Sequence, residues 1–197
     1  MYEYVCGSLA GIFPDAAVVD VSGIGLRIQI SKSCPSRALK TGEKVKFWIE
    51  FVVREDSHTL YGFSNKEDRD FFRLLQQVGG IGPKLALNVL GQSSSGEIAD
   101  GILQKNTKVL SSLPGVGKKL AERIIIELHE RVGALVQSGS IQLSTNTELL
   151  RQAIQALQTL GLSASDARSA VLTAQQKKPE LNSVEKLVQY TLTQRKK

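Results

Sequence analysis

Gly79-Gly80-Ile81-Gly82-Pro83-Lys84-Leu85-Ala86 and Gly115-Val116-Gly117-Lys118-Lys119-Leu120-Ala121 decide the fold of this chain, because one phrase is written in it twice. With Gly80 aligned on Gly115, five of seven positions are identical, and a sixth exchanges Ile81 for Val116. The offset is 35 residues, held without insertion, as expected of one supersecondary unit used twice.

Glycines two apart let the backbone take positive φ and let another group approach closely. Pro83 suits the first turn of a helix, where its missing N–H is not needed. Each phrase therefore reads as a tight turn delivering the chain into a helix N-terminus, whose unpaired N–H groups and partial positive charge favour an anion. Lys84, Lys118 and Lys119 stand at these starts, with Arg123 one turn on.

The flanks complete the unit. Ser64-x-x-Glu67 reads as a capping box, followed by Phe71, Leu74, Leu75 and Val78 on one helical face. Asn106 can cap a short helix bearing Val109, Leu110 and Leu113. After the second turn Leu120, Ile124, Leu128 and Val132 share a face, and Gly133 is the expected stop. Both units read helix, Gly-x-Gly hairpin, helix. This resembles the helix-hairpin-helix family, which implies binding of the DNA backbone through hairpin N–H groups without base readout. Two copies resemble the paired form that grips both strands across a minor groove.

The chain has 197 residues, 42% of them hydrophobic and 22% charged, a globular composition with room for one or two ordinary domains or three small ones. No apolar run approaches the ~20 residues that span a bilayer. Met1-Tyr2-Glu3-Tyr4 lacks the basic start of a signal peptide, so the expectation is a cytoplasmic protein without membrane contact. Cys6 and Cys34 have no partners at metal spacing. The net charge of +6 says less than its placement: between Gly101 and Ala121 there are four lysines and no acid.

Residues 1–63 read as strands. Leu26, Ile28 and Ile30 alternate with polar residues, as do Val45, Phe47, Ile49, Phe51 and Val53. Short strands with glycine turns suggest an oligonucleotide-binding (OB-fold) barrel of five strands. Between Phe51 and Phe63 the chain forms a hairpin with Arg54, Glu55, Asp56 and Ser57 at its polar tip. Two carboxylates there would repel a phosphate backbone. Unit charges 4 Å apart at an effective dielectric of ~20 interact by about 4 kcal/mol, enough to steer a strand.

Phe51-Val52-Val53-Arg54-Glu55-Asp56, then Leu60-Tyr61-Gly62-Phe63, then the paired hairpin phrases, closely resemble the RuvA family of bacterial Holliday-junction recognition subunits across the whole chain. The resemblance implies a homotetramer, or two tetramers around one junction, whose concave basic face holds a four-way junction. It makes Glu55 and Asp56 the acidic pin that helps part the strands, with Arg54 beside them as a DNA contact. It places phosphate contacts on Lys84, Lys118 and Arg123 and on the hairpin backbones of Gly80, Ile81 and Gly82 and of Gly115, Val116 and Gly117, and Lys119 at the second helix start is a further candidate DNA contact. Gly79 is a departure, since some relatives carry a polar residue there that can touch phosphate; a backbone N–H would have to serve instead.

Residues 134–146 carry no charge and many small polar residues, which reads as a flexible linker between the hairpin domain, 64–133, and the C-terminal domain, 147–197. The latter reads as three helices: one capped by Thr145 with Glu148 and stopped by Gly161, one opened by Ser163 or Ser165, and one opened by Asn182 with Glu185. About 50 residues bury a marginal core, leaving apolar surface for a partner. The resemblance makes that partner the RuvB ATPase, with Leu157, Leu160, Leu162, Val171 and Leu187 as candidate contacts, and adds the RuvC resolvase.

No stretch fits a P-loop, so the chain is expected to be non-catalytic, with no cofactor and no metal. The alternative is a helix-hairpin-helix repair enzyme, a glycosylase or nuclease, for which Glu55 and Asp56 would be the available carboxylates.

Overall fold

Alternating apolar residues in the first third of the chain build a closed five-stranded barrel. A computed structural model describes residues 2–141, 143, 145–178, 181 and 183–195. The strands are β1 (Tyr4–Ile12), β2 (Ala16–Val21), β3 (Ile24–Gln29), β4 (Lys44–Val53) and β5 (His58–Phe63), in the order β1-β2-β3-β5-β4. All neighbours are antiparallel except β3 and β5, whose parallel pairing at Ile28–Leu60 and Gln29–Tyr61 helps close the barrel. Val5, Leu9, Val19, Ile28, Val45, Phe47 and Ile49 fill its interior. The alternation along β4 continues past that interior: Phe51 is half-buried, edge-on to Tyr2 and His58, and Val53 is 58% exposed.

Five helices follow in the same compact unit, Met1–Gln142: α1 (Lys66–Leu75), α2 (Pro83–Leu90), α3 (Ser95–Leu103), α4 (Thr107–Ser111) and α5 (Lys118–Gln137). α1 is fastened to the barrel by Arg69, whose 2%-exposed side chain donates to Glu3 Oε2 at 2.6 Å and lies over the Trp48 ring. Arg73 pairs with Glu50 of β4.

Several boundaries differ from the sequence reading. The cap of α1 is Asn65, not Ser64: Asn65 Oδ1 accepts from Asp68 N and Nδ2 donates to Asp68 Oδ2. The sequence reading has no counterpart of α3, although Ser94 and Glu97 form a full capping box at its start. Asn106 caps α4 as expected, accepting from Val109 N.

α5 runs through Gly133 to Gln137. It stops at Gly139, where φ is +73° and the bonds Gly139 N to Val136 O and Ser140 N to Leu135 O close a Schellman motif. Gly133 is not among the glycines with a left-handed φ, so it keeps the helical backbone and the helix passes through it. The first residues of the expected linker, 134–137, are therefore helical.

The second unit, Leu143–Lys197, contains α6 (Thr145–Thr159), α7 (Ala164–Lys177) and α8 (Val184–Arg195). Ala153, Leu157, Ala167, Val171 and Leu187 form its core. Gly161, at φ +93°, ends α6, and Ser163 caps α7 by accepting from Asp166 N. The expected caps at Thr145 with Glu148 and at Asn182 lie outside the described side chains. Among the described residues no helix is long and apolar enough to cross a membrane.

Candidate nucleic-acid interface

The duplicated phrase folds into the same turn twice. Gly80 and Gly115 take φ of +95° and +79°, left-handed values that a residue with a β-carbon rarely adopts. Two residues later Gly82 (φ −85°, ψ 170°) and Gly117 (φ −80°, ψ 170°) cap α2 and α5 with nearly identical backbones. Helix bonding begins with Ala86 N to Gly82 O in one copy and Ala121 N to Gly117 O in the other. The N–H groups of Lys84 and Leu85, and of Lys118, Lys119 and Leu120, precede those bonds, and no side chain caps either helix.

The two turns lie side by side and lock each other. Leu85 of the first motif lies against Gly115 of the second, and Leu120 of the second against Gly80 of the first. Leu85 and Leu120 occupy the same place in the repeat, so the contact is related by a local pseudo-two-fold. Gly82 and Gly117 have nothing within 4 Å on the side where a β-carbon would stand. Lys84, Lys118 and Lys119 are exposed around them.

Ile81 and Val116 do not belong with these surface residues. They are only 5% and 3% exposed, and their N–H groups already donate to Val78 O and Leu113 O. They anchor each hairpin in the core while the flanking glycines stay outside, so the side chains of Ile81 and Val116 serve packing and their backbone N–H groups, expected to face DNA, are already engaged within the turns.

Arg123, on α5, reaches across to the first hairpin. Its guanidinium lies against Gly79, and its Nε donates to Glu127 Oε1 at 2.6 Å. The acidic tip stands between β4 and β5, closed by Arg54 N donating to Ser57 O at 2.8 Å. Arg54, Glu55, Asp56 and Ser57 are all exposed, and neither carboxylate has an ion-pair partner among the described residues. Burial pushes the nearby Tyr61 hydroxyl above the usual phenol range, and the Arg54 charge opposes that shift. Among the described residues no three His, Cys, Asp or Glu side chains gather closely enough to hold a metal ion.

Residues 1–62 match the family described as RuvA N terminal domain, and residues 72–130 match the SAM-like helix-hairpin-helix tandem. A Holliday junction branch migration complex subunit RuvA from Protochlamydia amoebophila is 36% identical over 201 residues, covering 98% of both chains. The chain belongs to the RuvA family. The RuvA subunit from Chlorobaculum parvum is 37% identical, covering 98% of this chain and 97% of its own. That from Prosthecochloris aestuarii is 39% identical over 88% of each.

In the C-terminal unit the candidate partner contacts divide. Leu157, Val171 and Leu187 are fully buried core residues, so no partner can touch them without unfolding the unit. Leu160 is 60% exposed, and half-buried Leu162 borders a groove of about 410 Å³ between α7 and α8 that also contacts Asp166, Thr173 and Tyr190. The sequence reading gave Leu85 no role and placed Leu120 only on the apolar face of α5, so the reciprocal contacts by which they build the hairpin pair were not foreseen. Their signal was present, since they are identical residues at identical places in the repeat. Glu127 was likewise signalled by its i, i+4 spacing from Arg123.

Proposed function

We propose that this chain is the non-catalytic DNA-binding subunit of a branch-migration complex. It holds a four-way junction open and roughly planar while a separate RuvB-type ATPase drives the arms. The observation that carries this reading is the pair of outward hairpins, two helix starts without side-chain caps, ringed by Lys84, Lys118 and Lys119 and locked together by reciprocal leucine contacts. Such a pair presents backbone N–H groups and cations to phosphates and offers no group for reading bases, so it binds duplex irrespective of sequence.

Selectivity for a junction comes from combining several copies. Four chains in a homotetramer would set four hairpin pairs around four acidic tips, and Glu55 and Asp56 would repel backbones from the crossover while the hairpins hold the arms. Two tetramers would enclose the junction. The C-terminal unit supplies the docking surface for the ATPase, through exposed Leu160 and the groove beside Leu162. A RuvC-type resolvase acting on the held junction, and action in the cytoplasm, complete the reading.

Binding to a fixed four-way junction and to linear duplex of equal length, at matched salt, tests it. The junction should bind far more tightly, with affinity falling steeply as salt rises. Equal affinity for both DNAs would overturn the proposal. The mass of the chain in solution with and without junction decides between one tetramer and two.

A further inference from the structure

The place where a Gly79 side chain would begin is taken by a cation from the other repeat. A β-carbon there would lie 2.3 Å from Arg123 Nη2, 2.6 Å from Cζ and 2.8 Å from Nη1. Gly79 leads into the first hairpin, whereas Arg123 sits on α5, the helix of the second. One turn further along α5, Glu127 Oε1 accepts from Arg123 Nε at 2.6 Å. The guanidinium is thus gripped at Nε, and its two Nη groups remain for an anion on a side chain 55% exposed. The repeat does not return the favour: 35 residues before Arg123 stands uncharged Asn88, and 35 after Gly79 stands Pro114.

Glu127 is adverse to DNA by charge alone, because it sets a carboxylate beside an expected phosphate site. Its compensating effect is geometric. A planar guanidinium held at Nε presents the edge that meets a phosphate through two parallel N–H groups, whereas a free arginine must be ordered on binding.

We propose that Gly79 and Glu127 are positioning residues for phosphate binding. The missing side chain at Gly79 admits the Arg123 guanidinium to the first hairpin, and Glu127 fixes its orientation. One phosphate is then held by parts of both repeats, and the first hairpin grips harder than the second. This rests on reading the hairpins as grips on the DNA backbone.

The test is equilibrium binding of the full chain to a fixed four-way junction over a range of salt, with a melting curve for each variant. The backbone at Gly79 lies outside the left-handed region, and the three atoms nearest an added methyl group all belong to the free end of a long side chain, so Gly79→Ala should fold normally. Gly79→Ala and Glu127→Leu should each weaken binding roughly three- to tenfold and flatten the salt slope by about one phosphate, ~0.9. Glu127→Gln keeps an acceptor oxygen and should bind at least as well as the parent chain. In an Arg123→Ala background neither Gly79→Ala nor Glu127→Leu should weaken binding further. The proposal is overturned if Glu127→Leu binds more tightly, as charge alone requires, or if Gly79→Ala still weakens binding without Arg123. Junction affinity indifferent to Arg123→Ala would instead remove the DNA reading of the hairpins.

Discussion

Leu85 lies against Gly115 so closely that a β-carbon on the glycine would stand 2.7 Å from Leu85 Cδ1. The reciprocal contact, Leu120 on Gly80, is looser at 3.6 Å. Each repeat thereby sets the position of the other's turn, and the two turns are packed into one continuous surface. That packing matters for the proposed function, because phosphates on a duplex have fixed spacing and a preset pair of grips loses little entropy on binding.

Gly115→Ala should therefore damage fold and binding together. It combines a left-handed φ, costing about 1–2 kcal/mol for a residue with a β-carbon, with displacement of Leu85. Gly117→Ala meets open space at negative φ and should lower the melting temperature only by the modest preference of a helix cap for glycine over alanine, less than Gly115→Ala does, while its methyl group holds phosphate off the helix start and weakens junction binding. Thermal unfolding alongside binding separates the two; equal melting losses would contradict the geometry.

The exposed acidic tip should act on selectivity more than on stability. Replacing Glu55 and Asp56 by Gln and Asn removes two negative charges that have no ion-pair partner among the described residues. Linear-duplex affinity should rise more than junction affinity, most visibly at low salt where screening is weak. A competition assay between the two DNAs reads the ratio directly.

Within the C-terminal unit, two neighbouring leucines should behave oppositely. Leu157→Ala empties a fully buried site and should cost that unit about 2–5 kcal/mol. Leu160→Ala, 60% exposed, should leave the unfolding midpoint in place and weaken only the coupling to the ATPase. Removing residues 143–197 should spare junction binding and abolish ATPase-driven branch migration.

The joint between β1 and α1 should be acid-sensitive. The hydrogen bond and charge of Arg69 hold the Glu3 carboxyl below its ordinary range. A depressed carboxylate contributes stability at pH above its unfolded value, near 4.3, and loses that contribution as pH falls through the lower folded value. Glu3→Gln should remove this part of the acid dependence while leaving the neutral-pH fold in place, as urea titrations at pH 7 and below pH 4 would show.

The duplicated phrase was enough, read as sequence, to place both hairpins, because the demand for a left-handed glycine followed by a helix start is local and leaves its mark in consecutive residues. The barrel was legible for a similar reason: burying one face of a strand forces apolar residues to alternate. Other features needed the folded chain. α3 went unread although its capping box was visible, and Gly133 passed for a stop because a glycine's φ is set by what the chain does next. Whether Ile81 faced solvent or core, and that Arg123 fills the space beside Gly79, depended on residues far apart in sequence being brought together. Local backbone geometry is written along the chain, whereas the occupant of a given space is chosen only when the repeats pack.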